Sequence, residues 1–389
     1  MQEYELTFID SISEIGAKDW NLLSGTENPF TRYEFLYALE ATGCTIPETG
    51  WQPMHVWVRW REESRSGIGN TAAVMTLYLK TNSWGEYVFD WSWANAYESH
   101  GLSYYPKFVT AAPFTPSIGQ RVFICPTANR CSVLKLIRDK IRDKAESHEA
   151  SSWHILFPLE EEHKELVQLG MHARIGTQFH WYNKDYDSYS DFLEALNSRK
   201  RKTIRKERQE VKNQGITFRV TEGPEISLQQ WSDFYLFYQS TYLMRGMQGY
   251  LDQEFFLSIS ESMPEQLFLV NAIQDDHEIA AALFFKNREK LFGRYWGCRA
   301  ERQFLHFETC FYQGQEYIIR NKLKSFDSGA QGEHKIQRGF EPILTFSNHW
   351  IANRQFSDAI KQFLIEERLH INRYRAEAES LLPFKKVNR

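Results

Sequence analysis

The stretch SFDSGAQGEHKIQRGFEPILTFSNHW, Ser325 to Trp350, holds the densest set of polar groups able to do chemistry. An earlier stretch echoes it: WHILFPLEEEHKELVQLGMHARIGTQFHWYN, Trp153 to Asn183. Glu-His-Lys stands at 162–164 and again at 333–335. Gly170-Met171 answers Gly339-Phe340, and ten residues after each glycine comes His-Trp, at His180 and His349. The two glycines lie 169 residues apart, which reads as an internal duplication. Arg294, Lys335 and Arg338 would ring the second copy with positive charge, suiting a carboxylate or phosphate substrate. Asp90 stands among Trp91, Trp93 and Tyr97. A carboxylate beside aromatics is expected to have a raised pKa, and it suits binding or deprotonating an amine. Arg199 to Lys212 carries eight Lys/Arg against two Glu. That run reads either as a solvated linker helix or as a site for a phosphate, a nucleotide or RNA, with Arg201, Arg205 and Arg208 close to one face. GxSxG, HExxH and GxxxxGK[ST] are absent from the sequence. His163 and His172 have no third ligand nearby, so no metal is expected.

Two similar halves must position these groups. A chain of 389 residues is long enough for two or three domains. An apolar share of 42 %, with 15 % aromatic, supplies two cores. The formal net charge of −4 gives no global field for nucleic acid, so no DNA partner is expected and any RNA contact must be local. No apolar run spans a bilayer. The N-terminal residues do not read as a secretory signal, and the five cysteines lack CxxC spacing. Together these predict a cytoplasmic location. In the first half the pattern predicts a strand over 4–9, helices over 17–23 and 31–41, and strands over 55–60 and 72–80. The aromatic run 85–97 reads as a strand end at a cleft. A strand over 107–112, a helix over 131–145, a strand from 153, a short helix over 162–169 and a strand over 177–183 complete it. A long helix is predicted over 189–214. The second half then reads as a strand, two helices, a three-stranded meander, a helix from 307 to 321, strands at 323–327 and 345–351, and a final helix.

That order, found twice, resembles the tandem-GNAT architecture of the Fem peptidyltransferases. Further stretches resemble the FemAB-like predicted N-acyltransferase family, of the peptidoglycan biosynthesis/recognition type. They are NPFTRYEFLYALEATG, FDWSWANAY, YYPKFVTAAPFTP, GRYWG, LHFETCFYQGQEYII and GAQGEHKIQRGFEP, which stand in family order over nearly the whole chain. The resemblance implies an α/β fold of two GNAT-like domains, mixed sheets flanked by helices. The expected boundaries are 1–186, a basic linker helix at 187–215, a second domain at 216–353, and a C-terminal helix at 354–389, with the functional cleft between the domains.

The resemblance also implies acyl or aminoacyl transfer from an activated donor, acyl-CoA or aminoacyl-tRNA, to an amine acceptor such as a cell-wall precursor. No tightly bound cofactor is implied. The position of the phosphate cradle falls on PFTPSIGQR, where Pro113, Thr115, Gly119 and Arg121 would meet the donor. Transfer to an amine needs a proton acceptor; Glu308 with His306, or His334 with Glu333, would supply it, with Asp90 orienting the amine or accepting a proton. Trp93, Tyr105, Lys107, Arg294, Trp296, His306, Lys335 and Arg338 would contact substrate. The run Arg199–Lys212 would contact tRNA if the donor is aminoacyl-tRNA. The alternative is a non-catalytic recognition protein that holds a cell-wall or lipid-linked fragment.

Overall fold

The computed structural model describes residues 3–61, 70–330 and 332–385. The chain divides into two compact units. The first runs to Gly176 and takes in Leu344–Asn372; the second is Thr177–Ile343 with the residues from Arg373 onward.

The first unit holds β1 (Tyr4–Ile9), β2 (Trp51–Pro53), β3 (His55–Trp60), β4 (Thr71–Met75), β5 (Tyr78–Lys80), β6 (Lys107–Thr110), β7 (Val122–Ile124) and β8 (Ser152–Leu156). Next, β9 (His172–Tyr182) leads into the second unit. That unit adds β10 (Thr217–Glu222), β11 (Leu267–Gln274), β12 (His277–Lys286), β13 (Lys290–Cys298) and β14 (Ser325–Asp327). Finally, β15 (Glu341–Ile351) returns to the first. Strand order in the first unit is β1-β3-β4-β7 in one sheet and β2-β5-β6-β8-β15 in another; in the second it is β10-β11-β12-β13-β14-β9.

The division corrects the expected boundaries. Each duplicated half gives its last strand to the other unit's sheet: Tyr182, Trp181 and His180 of β9 pair with Ser325–Asp327 of β14, and Ser347–Ile351 of β15 pair with Ser152–Leu156 of β8. The basic helix is not a linker. Ile204 and Val211 are buried, Ile204 in the main core of the second unit. A polar helix with one apolar stripe packs along that stripe.

The helix predicted over 189–214 is two helices, Tyr189–Ala195 and Ser198–Asn213. Ser188 and Asp191 form a reciprocal capping box at the first, and Asn197 caps the second by accepting from the Lys200 amide. Between them Leu196 is extended and fully buried. Asn197 N–H donates to Pro383 O at 2.8 Å, and Lys385 N–H donates to Ala195 O at 2.9 Å. Docking of the chain's last described residues satisfies the backbone at the break.

The strand predicted over 72–80 is likewise two, β4 and β5, in different sheets. Thr76 Oγ1 donates to Ala111 O, and the Leu77 amide donates to His55 Nδ1, so the chain crosses between sheets with its polar groups satisfied. The aromatic run 85–97 ends in a helix, Trp91–Ser99, rather than a strand.

In the second unit β12 is buried from Ala280 through Phe285, as a central strand covered on both faces must be. Phe268, Phe284 and Tyr317 stack across β11, β12 and the helix behind them. Burying each such ring contributes about 1.5–3 kcal/mol. The helix Leu228–Leu243 lies so close to β13 that a Cβ on Gly297 would stand 1.8 Å from Phe237 O. No larger residue fits there.

Candidate active site

In the first unit the loop after β5 and the first residue of β6 build a buried ionic cluster. Lys107 Nζ donates to Asp90 Oδ2, to Glu86 Oε2 at 2.9 Å and to Ser83 Oγ at 2.8 Å. Tyr104 O–H donates to Asp90 Oδ2 at 2.6 Å and also meets His154 Nε2 at 3.1 Å. His154 and His349 face each other across β8 and β15, Nδ1 to Nδ1 at 2.5 Å, so one donates and the other accepts. Ser152 and Ser347 hold their far nitrogens.

Burial favours neutral forms here. It pushes Glu86 up to about 7 against the pull of Lys107, Lys80 down to about 7, and His154 down to about 3. His349 is pushed well below its ordinary value by the same burial. Asp90 goes the opposite way from expectation. Burial would raise it, but the Lys107 ammonium, His154 and the bonds from Lys107 and Tyr104 outweigh that and hold it well below the usual range. It is a counter-ion, not an amine base. Lys107 is 0 % and Trp93 4 % exposed, so neither presents a surface to substrate; Trp93 packs edge-on against His349 at 4.9 Å. Tyr105 is half-buried, and its hydroxyl meets Ser83.

The expected phosphate cradle is filled by the protein itself. Arg121 is 2 % exposed, with Nε on Leu156 O at 2.7 Å, Nη1 on Gln120 O and Nη2 on Ser117 O. The amides of Arg121 and Val122 donate to the Glu162 carboxylate at 2.9 and 2.8 Å. Gly119 N–H donates to Phe157 O, and a Cβ there would meet Asn28 at 2.5 Å. Pro113 sits in the loop, and Thr115 is buried. An internal carboxylate therefore occupies the amides that would take a donor's phosphate. These residues do not fit that group as they stand.

The second unit commits its charges differently. Glu308 accepts from Arg208 Nη2 at 2.8 Å and from Arg208 Nε at 3.0 and 3.2 Å, and from Gln313 at 2.8 Å. Arg208 also reaches Glu316 at 2.6 Å, so it faces inward rather than joining Arg201 and Arg205 on the outer face. A carboxylate so held is a structural ion pair, which corrects its reading as the base. Arg294 binds Asp327 through both terminal nitrogens, at 3.2 and 2.6 Å. Asp327 also faces His180 across β14 and β9, 3.7 Å away. Lys335 Nζ donates to the carbonyls of Ser328, Gly329 and Ala330, and burial brings its pKa down to about 8. Arg338 lies 3.5 Å from the centroid of Phe307 and binds Glu207, Tyr312 and the His334 carbonyl. The positive ring expected from Arg294, Lys335 and Arg338 is thus built into the scaffold.

What remains open is a pair of imidazoles. His306 and His334 lie 6.3 Å apart, ring centre to centre. Trp296, Phe307 and Phe311 wall them, with Trp296 and Phe311 at 5.4 and 5.3 Å from His306. Neither ring nitrogen of either histidine has a hydrogen-bond partner among the described residues. His306 is half-buried and His334 exposed. Burial first, then neighbouring positive charge, brings both down to about 4, so both are neutral at physiological pH. Two local features set them out. The residues after His306 form a π-helical turn, Glu308–Tyr312, a distortion frequent at functional sites. Gly332 (φ 110°) lies under His334; a Cβ there would stand 2.7 Å from the imidazole.

The sequence does not single out Glu207, Asp327 or His154; it places Arg208 in the basic anion-binding run, and His180 and His349 only in the echo, without their partners. The duplication was the available signal, because it puts the His180 and His349 strands in matching places.

A family model described as peptidoglycan biosynthesis/recognition matches residues 11–386. The chain belongs to the FemAB-like family. Its fold is mixed α/β, with mixed sheets flanked by helices. The crystal structure of FemX covers 92 % of this FemAB-like chain and 100 % of its own, at TM-score 0.51 and 11 % identity. A tandem GNAT protein from the clavulanic acid biosynthesis pathway covers 90 % and 99 %, at TM-score 0.48 and 11 % identity. No curated protein matches the sequence. Among the described residues no helix is long and apolar enough to cross a membrane.

Proposed function

We propose that this FemAB-like protein transfers an acyl or aminoacyl group to an amine, and that the second unit does the chemistry. The observation that carries this is the His306–His334 pair: two neutral imidazoles, without a hydrogen-bond partner for their ring nitrogens among the described residues, beside an aromatic wall, His334 exposed and His306 half-buried. In the proposed step the amine nitrogen attacks the carbonyl carbon of an activated ester or thioester. The new C–N bond forms as the C–O or C–S bond breaks. The proton lost by nitrogen passes to an imidazole, and the departing oxygen or sulfur takes one up. Positioned general-base catalysis of this kind is worth roughly 10²–10⁴ in rate.

Two observations bear on the donor. The filled loop at Pro113–Arg121 speaks against acyl-CoA binding there. On the helix Ser198–Asn213, Arg199, Lys202, Arg205 and Lys206 are exposed and make no ion pair among the described residues, which favours a polyanionic donor such as aminoacyl-tRNA. The test is product formation, read by mass spectrometry, with acyl-CoA or aminoacyl-tRNA and a panel of amines. Transfer that collapses in both His306→Ala and His334→Ala supports the reading; transfer intact in both removes it. Recognition without transfer is the second reading. The self-satisfied first unit favours it, and stable binding of a cell-wall fragment without turnover would establish it.

A further inference from the structure

The first unit turns most of its polar groups on one another, but His163 does so along one edge only. Leu344, Phe346 and Asn348 alternate along β15 and so share one face. His163, on the helix Glu160–Gln168, lies over that face, its ring stacked on Phe346 with centres 4.6 Å apart. Asn348 is fully buried; its Nδ2 donates to the His163 carbonyl at 3.3 Å, and its Oδ1 meets His163 Nδ1 at 2.9 Å. A carbonyl oxygen can only accept, so that bond fixes which way the Asn348 amide points. Oδ1 then needs the proton on Nδ1, and Nε2 is left with a bare lone pair. Nε2 has no hydrogen-bond partner among the described residues, although His163 is only 7 % exposed.

The same ring lines a cavity of about 570 Å³, within the roughly 300–1,000 Å³ of small-molecule sites. Its apolar wall is Phe346, Leu344 and Ile175, all half-buried, with the exposed Val167. One cation on it is uncommitted. Arg368, from the helix Arg354–Ser380, is exposed, and its guanidinium has only a long 3.5 Å contact with Ala173 O among the described residues. Lys164 also lines the cavity, but Glu160 holds it at 2.7 Å. Burial lowers the pKa of His163 against the bond to Asn348, and Arg368 adds to the fall, so the ring is neutral at physiological pH.

We infer that this cavity of the first unit is a second binding site, and that it takes an amphipathic carboxylate bearing an N–H donor. The carboxylate meets the Arg368 guanidinium, whose fork matches two oxygens at once. The N–H donates to His163 Nε2. An apolar chain lies along Phe346, Leu344, Ile175 and Val167. An N-acylated amino acid carries all three groups. One uncommitted cation, with Glu160 on the same cavity, suits a single negative charge better than a phosphate dianion. The inference does not draw on the His306–His334 pair.

The experiment is calorimetric titration of the full chain with N-octanoylglycine, kept below its micelle concentration. Two analogues each lack one group: N-octanoyl-N-methylglycine has no N–H, and the methyl ester of N-octanoylglycine has no charge. The acid should bind saturably, and each analogue about tenfold more weakly, the worth of one hydrogen bond to a charged or buried group. In Arg368→Gln the acid should lose about the same factor and the ester nothing. Arg368 is exposed, so an unchanged unfolding midpoint is expected and checks that the variant is folded. Nitrogen-15 shifts of the His163 ring in the free protein should show the proton on Nδ1. No saturable binding of the acid, equal affinity for all three compounds, or the proton on Nε2 overturns the inference, and tighter binding of octyl phosphate overturns the choice of a carboxylate. Transfer is read on His306 and His334 and this titration on Arg368 and His163, so the two readings fail separately.

Discussion

His154 faces His349 across β8 and β15 in the first unit, and Asp327 faces His180 across β14 and β9 in the second. These are matching strand positions in two copies of one plan. In the first unit two imidazoles bond each other and join a chain through Tyr104 and Asp90 to Lys107. In the second a carboxylate replaces one imidazole and is neutralised by Arg294. The echoed Glu-His-Lys diverges in the same sense. Glu162 and His163 are buried, one on the amides of Arg121 and Val122, the other on Asn348. Glu333 and His334 are exposed, after a glycine at φ 110°. Duplication kept the backbone plan while the side chains went separate ways: the first unit turned its polar groups on one another, and the second left two histidines outward.

That contrast can be broken in four ways. Lys107→Met should give the largest effect. It leaves Asp90 and Glu86 buried without a counter-ion, a loss of about 3–5 kcal/mol in denaturant unfolding. A loss under about 1 kcal/mol would mean the first-unit cluster is not closed. Next is His334→Ala, which should cut transfer about 100-fold, equal to about 2.7 kcal/mol of barrier. Its stability should stay within about 0.5 kcal/mol of wild type, since the ring is exposed.

The third variant sharpens the contrast through pH. Glu86 has its folded pKa raised above the unfolded value, so its contribution to stability is fully present below the unfolded pKa. That contribution is lost as pH rises through about 7. Glu86→Gln should therefore gain on wild type by roughly 1–3 kcal/mol between pH 5 and pH 8, measured by unfolding at each pH. A difference that does not change with pH would remove the raised carboxyl from the account. Smallest is Glu308→Gln. It should cost about 1–2 kcal/mol of stability through the lost pair with Arg208, while turnover per folded molecule is unchanged. A selective loss of turnover would return Glu308 to the chemistry.

The repeated element order was legible because hydrophobic period and turn residues are local properties. The meander of the second half and the helix after it fall close to where the pattern predicts them. The breaks at Leu196 and at Thr76-Leu77 were not legible. Each is stabilised by a distant segment, Pro383–Lys385 in one case, His55 and Ala111 in the other. The site was half legible. His306 and His334 could be picked by type and by neighbouring motif. Arg121, Glu308, Asp90 and Arg338 looked equally reactive, because sequence gives a charge but not its partner.

By itself the sequence determined a duplicated α/β plan, two aromatic-rich cores and the pool of ionisable side chains. Only the tertiary structure decided which charges cancel. A buried lysine seeks carboxylates wherever the fold brings them, as Lys107 does with Asp90 and Glu86, 17 and 21 residues away. Pairing depends on distances between segments far apart in the chain, and those distances exist only once the strands have taken their places.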